Sequence, residues 1–501
     1  MLFNSYEFIL LFLPVCLFIY YRLLSSNLSL AITWLVASSL FFYGWWNPVY
    51  LVLLVASIVF NYSLGFYLTR HSSRALLAFG IIANLSLLAY YKYSVFVVDN
   101  LNYVLTTDWN FGAIILPLAI SFFTFQQITY LVDAYRSEAQ EYNFLHYCLF
   151  VTFFPQLIAG PIVHHKEMMP QFSNNERLNA VYKNLAIGLT IFILGLAKKV
   201  FLADSFAPYA SEAFSATAAG ETLSFLEAWR GAMAYTFQLY FDFSGYTDMA
   251  IGLALMFGIR LPQNFNSPYK ANNIIDFWRR WHMTLSRFLR DYVYIPLGGN
   301  RKGSFRKYNN ILLTMLIGGL WHGAAWTFIF WGGLHGLYLM INHFWRWLRL
   351  QVGLSIEATS RSGKFFARLI TFLAIVIAWV FFRAESFDSA IIMLKGMSGE
   401  YGFILPTSLQ EKLGGFSAII TSLGWEFAPL DYSKGLQDIL MIAITTALLW
   451  YLPNTQEIVL NEKKSRFYWN KNLVWSIGLS TILLFSILRL SNVSEFLYFQ
   501  F

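Results

Sequence analysis

Charged residues are scarce in this sequence. Asp, Glu, Lys and Arg make up 12% of its 501 residues, whereas 57% are hydrophobic and the mean hydropathy is +0.51. Soluble domains carry roughly 25% charged residues, so a soluble protein is excluded and a polytopic membrane protein is predicted. The net charge of +8 is assigned to basic residues retained on the cytoplasmic side of a membrane. Nucleic acid is not expected as a partner, because no soluble basic domain exists to carry such a site.

Cysteines and the usual signatures of metal and nucleotide sites are also lacking. The only two cysteines, Cys16 and Cys148, lie in apolar runs, which excludes a disulfide framework. Without an HExxH spacing or a set of cysteines, His164, His165 and Glu167 are not interpreted as a metal site. P-loop and GxGxxG motifs are absent, so nucleotide hydrolysis and dinucleotide chemistry have no support.

Long apolar runs, by contrast, are abundant. Runs of about 20 residues are long enough to cross a bilayer as helices, and the first of them lacks the basic flank and cleavage site of a signal peptide. The sequence predicts an all-α fold with about 11 to 14 transmembrane or re-entrant helices, in one domain spanning residues 1–501. A polar extramembrane loop is predicted at about 398–436. The runs lie at about 7–24, 28–46, 50–69, 75–97, 112–132, 144–163, 182–203, 222–260 and 309–346 (each of the last two long enough for two helices), 364–383, 438–453 and 472–491.

The basic residues predict an orientation. Loops 47–49 and 98–111 contain no Lys or Arg, whereas residues 276–307 contain eight against two Asp. Because cytoplasmic loops retain Lys and Arg, the N-terminus is predicted to lie outside and the 276–307 cluster to face the cytoplasm. The first, third and fifth loops contain the other basic residues that support this orientation, namely Arg22, Arg70, Arg74 and Arg136.

The stretch 276–336 is the candidate site. It begins with the basic cluster and continues into residues 308–345, which contain no Asp, Glu, Lys or Arg. Near the middle of that run stands His322, between Trp321 and Gly323. An ionisable residue at such depth in a bilayer indicates a functional site, and His is suited to proton transfer near neutral pH. The alternative is a histidine hydrogen-bonded to a neighbouring helix for packing, and spacing alone leaves both open.

Several motifs, taken in order, resemble the membrane-bound O-acyltransferase (MBOAT) family. The resemblance covers nearly the whole chain and is strongest to the bacterial branch that includes the membrane subunit of alginate O-acetylation. The motifs are LPLAISFFTFQ at 116–126, FPQLIAGP at 154–161, YFDFSGYTDMA at 240–250, FWRRWH at 277–282, LWHGAAW at 320–326, PNTQ at 453–456 and FLYFQF at 496–501.

The resemblance implies a fold, an activity and partners. Helices would surround a central cavity in a multi-pass protein of the bacterial inner (cytoplasmic) membrane. The protein would move an acetyl group from a cytoplasmic donor, acetyl-CoA or another acyl donor, to exopolysaccharide hydroxyls, first of all alginate. Transfer would be direct or through a periplasmic partner protein. No permanently bound cofactor is implied.

The resemblance also implies roles for two histidines. His322 would be the active-site residue, removing the proton of the acceptor hydroxyl as that hydroxyl attacks the acyl carbonyl. His282 would polarise the carbonyl or orient the other imidazole, since acyl transfer needs oriented groups around the oxyanion. The alternative for His282 is a solvated histidine at the membrane interface without a function.

Other polar residues of these motifs are candidates for binding the donor. Arginine forks suit the phosphates of coenzyme A or phosphopantetheine, although topology anchoring and lipid contact are the favoured explanation for most of them. Asp242 and Asp248 lie in an apolar run and are expected to be paired while lining the interior cavity, with a proton relay less favoured. His335 and His343 are expected to pack or to lie at the interface. The basic candidates are Arg279, Arg280, Arg287, Arg290, Arg301 and Lys302, and Trp278 and Trp321 are assigned to the same substrate or donor site.

Two other functions remain as alternatives. A D-alanyltransferase for cell-envelope polymers shares the Trp-Arg-Arg-Trp-His segment, but the extra C-terminal spans here favour the acetyltransferase branch. A transporter that moves an acyl donor or glycan without chemistry is the second alternative. Many transporters contain internal repeats, and the sequence shows none.

Overall fold

The computed structural model describes residues 1–501 except 111, 113, 138–142, 174–179, 357–359, 431, 433–434, 461–466, 493–495 and 498–501. The last four residues of the FLYFQF motif, and small parts of the predicted 398–436 loop, therefore lie outside the described residues. Within the described part the fold is all-α apart from two strands of three residues each.

The N-terminal helices are joined by short turns whose sequences suit helix starts. Asn27 begins α2 by accepting hydrogen bonds from Ser29 and Leu30 N–H, and Ser73 begins α4 by accepting one from Leu76 N–H. These elements are α1 Glu7–Leu24, α2 Leu28–Gly44, α3 Val49–Arg70, α4 Arg74–Leu105, α5 Ile120–Tyr135, α6 Phe144–Thr152, α7 Phe154–Leu157 and α8 His165–Phe172.

The run at 144–163 differs from the predicted spanning segment. The α6 helix has only 9 residues and ends where Phe153 takes φ −48° and ψ 106°, outside the helical region. The next helix, α7, has 4 residues, with Pro155 in its first turn. Both are well short of the ~20 residues that a span requires. This run therefore forms a broken, buried segment.

The helices α9 Val181–Ala218 and α10 Phe225–Met256 form the centre of the molecule, and α10 is buried along nearly its whole length. A capping box of Ser224 and Glu227 begins α10. The run at 222–260, long enough for two spans, is thus one helix of 32 residues. A Cβ on Gly188 would lie 2.6 Å from Gly252 O, so the two backbones touch, as membrane helices with small residues do.

The candidate site is carried by the next helices. Residues 309–346 were predicted as two spans or as one intact and one broken span, and they form a hairpin of two helices. His322 is consequently the last residue of α13, at the turn between the two helices. The elements are a 3₁₀ turn Pro268–Lys270, α11 Ile274–Trp278, α12 Met283–Leu289 with a π-turn Arg290–Tyr294, α13 Gly303–His322, α14 Trp326–Gln351, α15 Arg361–Arg383 and α16 Phe387–Ser398.

The segment predicted as a polar loop contains short elements. Its two strands pair in parallel, with Leu405 opposite Phe427. Two longer apolar helices follow it. The elements are β1 Ile404–Pro406, α17 Thr407–Leu413, α18 Phe416–Ser422, β2 Glu426–Ala428, α19 Leu436–Tyr451, α20 Thr455–Val459, α21 Leu473–Leu488 and a 3₁₀ turn Leu490–Asn492.

Helix length and composition agree with a multi-pass membrane protein. Among the described residues, α1, α3, α4, α9 and α15 are long and apolar enough to cross a membrane, and α2, α19 and α21 are shorter apolar helices. Large apolar side chains stand exposed on the outside, as Phe18, Val52 and Ile370 do at 74%, 73% and 67%. Such exposure would be unfavourable in water and suits contact with lipid.

Candidate functional site: two cavities beside a buried histidine

His322 lies where α13 ends. Gly323 follows it in an extended conformation, φ −159° and ψ 152°, and α14 begins at Trp326. The imidazole is 6% exposed. Its ring centroid lies 4.8 Å from that of Trp321, 5.2 Å from Trp331 and 5.1 Å from Phe382. These aromatic rings exclude bulk water and favour the neutral imidazole, which is the form able to accept a proton.

Two residues of α4 hold the end of α13. Lys92 Nζ donates hydrogen bonds to Trp321 O at 2.6 Å and His322 O at 3.0 Å. Tyr93 OH donates to Leu320 O at 2.8 Å. The last carbonyls of a helix have no partner within the helix, so these contacts satisfy them and fix His322 relative to α4. Sequence reasoning missed Lys92, although it is the only charged residue between Arg74 and Asp99.

His282 is fully buried and begins α12 in the left-handed conformation, with φ 42°. Its Nδ1 lies 3.1 Å from Asn264 Oδ1. That oxygen also accepts hydrogen bonds from Thr284 N at 3.2 Å and Thr284 Oγ1 at 2.8 Å. Because a backbone N–H can only donate, Asn264 presents its oxygen here, and Nδ1 of His282 is the donor. In the neutral ring the lone pair is therefore on Nε2.

The two predicted catalytic histidines share one indole. The ring centroid of Trp321 lies 6.2 Å from that of His282 and 4.8 Å from that of His322. Phe243, of the YFDFSGYTDMA motif, packs edge-on against His282 at 4.8 Å. The structure thus brings together three of the motifs on which the resemblance depends.

A small cavity of about 100 Å³, the His322 cavity, opens beside this histidine. His322 is therefore not sealed in a dry core. The cavity lies on the side of the loops that contain no Lys or Arg, since the α2–α3 and α4–α5 connections contribute to it. Besides His322, Trp321 and Lys92, its described lining residues are Trp46, Leu116, Pro117, Leu118, Ala119, Ile120, Ser121, Phe122, Ile158 and Ala159.

A larger cavity of about 870 Å³, the basic cavity, lies at the other end of α14. Its volume suits a ligand larger than a side chain. Arg280 is held in its wall by Asp276 Oδ1 at 2.8 Å and Asn266 O at 3.3 Å. The cationic residues that line it are Arg279, Arg280, Arg346, Arg349 and Lys364, against one carboxylate, that of Asp276, among the described lining residues. Arg346, Arg349 and Lys364 were missed, although basic residues directly follow the uncharged run.

Aromatic side chains stand between the two cavities. The His335 ring lies 4.8 Å from Trp331, 5.1 Å from Trp278 and 5.7 Å from Tyr338. Tyr338 lines the basic cavity and Trp331 contacts His322. These two residues are two helical turns apart on α14, a rise of about 10 Å. Trp278 therefore belongs to a layer of aromatic side chains between the basic cavity and His322.

The remaining predicted arginines do not line the basic cavity. Arg287 binds both carboxylate oxygens of Glu167, at 2.5 and 2.9 Å, and Arg290 binds Asp291 at 2.7 and 3.0 Å. Arg301 and Lys302 stand exposed in the turn before α13. Their charges are thus neutralised locally or solvated, and none of them lines either of the two described cavities.

Asp242 and Asp248 are paired, as expected for carboxylates in an apolar run. Lys198 Nζ lies 2.6 Å from Asp248 Oδ2, and Lys199 Nζ lies 2.7 Å from Asp242 Oδ1. Asp242 Oδ2 also accepts a hydrogen bond from Leu497 N at 2.9 Å. Through these contacts the two aspartates connect α9, α10 and the C-terminal segment. Neither of them is among the described residues that line the two cavities.

A buried imidazole beside one cavity, with a large basic cavity at the other end of α14, fits a membrane-embedded acyltransferase. Residues 132–382 match the family model of MBOAT, the membrane-bound O-acyltransferase family. The chain belongs to this family, and an acyl donor is its co-substrate.

Named relatives extend over most or all of the chain. It is 44% identical to a peptidoglycan O-acetyltransferase of Helicobacter pylori, covering 100% of this chain and 98% of the relative. It is also 44% identical to a probable alginate O-acetylase, AlgI, of Pseudomonas aeruginosa, over 79% of this chain and 75% of the relative. A teichoic acid D-alanyltransferase of Streptococcus thermophilus is 28% identical over 53% of this chain and 68% of the relative.

Proposed function

We propose that this protein transfers an acetyl group from a cytoplasmic acyl donor to hydroxyl groups of a cell-envelope or secreted polysaccharide. Two relatives at 44% identity, named for peptidoglycan and for alginate, support acetyl transfer and a glycan acceptor. Alginate is the acceptor favoured by the motifs, and the full-length relative makes peptidoglycan its competitor. The chain, residues 1–501, works as one transmembrane unit in the bacterial inner membrane.

The observation that carries the proposal is the position of His322 between two cavities. The donor's phosphates bind Arg279, Arg280 and their neighbours in the basic cavity, where guanidinium groups make paired hydrogen bonds to phosphate oxygens. The acyl-bearing arm passes Trp278 and Trp331 to reach His322. The acceptor arrives in the His322 cavity, on the side of the loops predicted to face the periplasm.

A single base is sufficient for the proton transfers of this reaction. Neutral His322 takes the proton of the acceptor hydroxyl while its oxygen attacks the thioester carbon of the donor. The C–O bond forms, the C–S bond breaks, and His322 returns the proton to the leaving thiolate. A covalent acyl-enzyme would use the same base, and burst kinetics would distinguish it.

His282 fits one of its two expected roles better than the other. With Nδ1–H bound to Asn264, the neutral ring has only an acceptor at Nε2 and cannot donate to a carbonyl. Polarising the carbonyl would require the protonated ring, which burial disfavours. His282 is therefore proposed to orient the catalytic imidazole or the acceptor hydroxyl.

Replacement of His322 tests the proposal. His322→Ala and His322→Gln are expected to abolish alkali-labile acetate on the polysaccharide at normal levels of membrane-inserted protein. His343→Ala is the matched control, since His343 is on α14 at the far end from His322 and does not line either described cavity. Wild-type acetylation by a correctly inserted His322→Ala protein would contradict the proposal.

The same hydrolysate distinguishes the alternatives. A D-alanyltransferase, supported by the Streptococcus relative, would release ester-linked D-alanine in place of acetate. A transporter would show donor or glycan movement that survives His322→Ala. A periplasmic partner protein is proposed to receive or present the acetyl group, and it is expected to co-purify with the wild-type protein.

A further inference from the structure

Lys92 brings a cation to the His322 cavity. It is half-buried, and it lines that cavity together with His322. Of the described residues that line the His322 cavity, Lys92 is the only Lys or Arg. A charge in an apolar helix is costly, so its position next to the proposed base needs an explanation beyond chance.

The end of α13 stabilises this ammonium group. The carbonyls of Trp321 and His322 accept two of its N–H groups, at 2.6 and 3.0 Å. The C-terminal end of a helix also carries a partial negative charge, which favours a cation there. Helix capping alone would not need a residue that lines the cavity, because Tyr93 OH caps the preceding carbonyl without doing so.

An ammonium group has three N–H donors, and the two carbonyls use two of them. Within the described part of the chain no other acceptor binds this Nζ, so its third N–H is left for a molecule in the cavity that Lys92 and His322 share. During acyl transfer the carbonyl oxygen of the donor gains negative charge as the hydroxyl oxygen bonds to its carbon. Donors prepositioned in a water-poor site stabilise such an oxyanion strongly.

We propose that Lys92 is a catalytic residue that donates a hydrogen bond to the acyl oxyanion while holding the end of the helix that carries His322. This inference rests on the proposed acetyl transfer through His322. The carbonyl electron pair moves to oxygen on attack and returns when the thiolate leaves. Lys92 keeps its proton throughout, and the hydroxyl proton passes through His322.

Neutral replacements test this. Lys92→Met removes the charge at similar length, and Lys92→Gln keeps two N–H donors for the helix end without a charge. Both are expected to lower polysaccharide acetate per inserted protein by about 100- to 1000-fold, the usual cost of losing an oxyanion donor. The comparison variant is Tyr93→Phe, which removes the neighbouring contact to α13 but no charge; its loss of transfer measures the cost of a less firmly held helix end and is expected to be at least roughly tenfold smaller than that of Lys92→Gln.

Two further measurements separate catalysis from structure. The purified variants are expected to bind a thioether analogue of acetyl-CoA with wild-type affinity, because the basic cavity is unchanged. Lys92→Cys treated with 2-bromoethylamine regains an ammonium group at nearly the lysine length and is expected to regain transfer. Treated wild-type protein is the control for modification of Cys16 and Cys148.

Each outcome decides the inference. Acetylation by Lys92→Gln at the level of Tyr93→Phe would overturn it, as would a failure of aminoethylation to restore transfer to a folded, analogue-binding Lys92→Cys protein. Failure of the proposed function would look different, because His322→Ala would then remain active whatever Lys92 does.

Discussion

The contact between α13 and α14 shows how tightly the end of α13 is held. A Cβ on Gly319 would lie 2.3 Å from Phe328 O, a backbone atom that cannot rotate away. A Cβ on the adjacent Gly318 would meet only Leu289 Cδ1 at 3.2 Å, at the end of a flexible side chain. Gly319→Ala and Gly318→Ala therefore form a matched pair, with the same chemical change on the same helix.

The two variants are expected to differ roughly 100-fold in the rate of acetyl transfer. Each alanine improves helix propensity by about 1 kcal/mol, and at position 318 little opposes that gain. At position 319 the two helices must separate by roughly 1 Å, and forcing extra atoms into a packed contact costs about 1–3 kcal/mol. Since His322 is one turn further along, its imidazole shifts relative to both cavities. A misplacement of about 1 Å lowers rates roughly 100-fold.

The assay is ester-linked acetate on the polysaccharide per amount of membrane-inserted protein, with the thermal midpoint measured on purified protein. Gly318→Ala is expected to match wild type in transfer and to have a slightly higher thermal midpoint. Gly319→Ala is expected to lose about 99% of its transfer. Gly332→Ala, whose Cβ would lie 2.2 Å from Met315 O, is expected to behave like Gly319→Ala. Equal transfer by the two adjacent variants would refute the reasoning.

Three other predictions concern the surroundings of the site. Asn264→Ala removes the acceptor of His282 Nδ1 and is expected to lower kcat about 10- to 100-fold with little change in donor KM, measured by donor turnover; an unchanged kcat would contradict it. The double variant Arg346→Ala and Arg349→Ala is expected to raise the KM for acetyl-CoA about tenfold or more, and less so at high salt, while kcat stays nearly constant; an unchanged KM would remove the donor from the basic cavity. Both ring nitrogens of His335 are buried without a hydrogen-bond partner among the described residues, so His335→Phe is expected to insert normally and to raise the thermal midpoint; a lower midpoint would indicate a polar contact.

The membrane class, the family and the all-α fold followed from the sequence, because they depend on properties that composition and ordered motifs reveal. Individual helix bounds followed less well. Residues 144–163 are apolar enough to span, but Phe153 and Pro155 interrupt the helix, and apolar content does not reveal such a break. The place of His322 at a turn was not predicted, since the middle of a long apolar run becomes its turn when the run folds into a hairpin.

The pairing of charges was the least predictable feature. Arg279 and Arg287 have the same chemistry in the sequence, yet only the first lines the basic cavity. The difference is Glu167, which is 120 residues away from Arg287 in the chain and neutralises it. Lys92 and His322 are separated by 230 residues. Contacts of this kind depend on which helices are neighbours, and hydropathy does not determine that.

The position of His322 at a helix end also has a consequence for the direction of transfer. From Trp331, which touches His322, to Arg346 in the basic cavity is 15 residues along α14, a rise of about 22 Å. In the proposed reaction, phosphates bound by Arg346 would stay in the basic cavity while the acyl-bearing arm passes the rings of Trp278 and Trp331. A side chain in mid-helix would be approached from one side, whereas His322 at the end of α13 also lines the His322 cavity, where the proposed acceptor would bind. The proposed reaction can therefore carry an acetyl group across the bilayer without moving either large substrate through it.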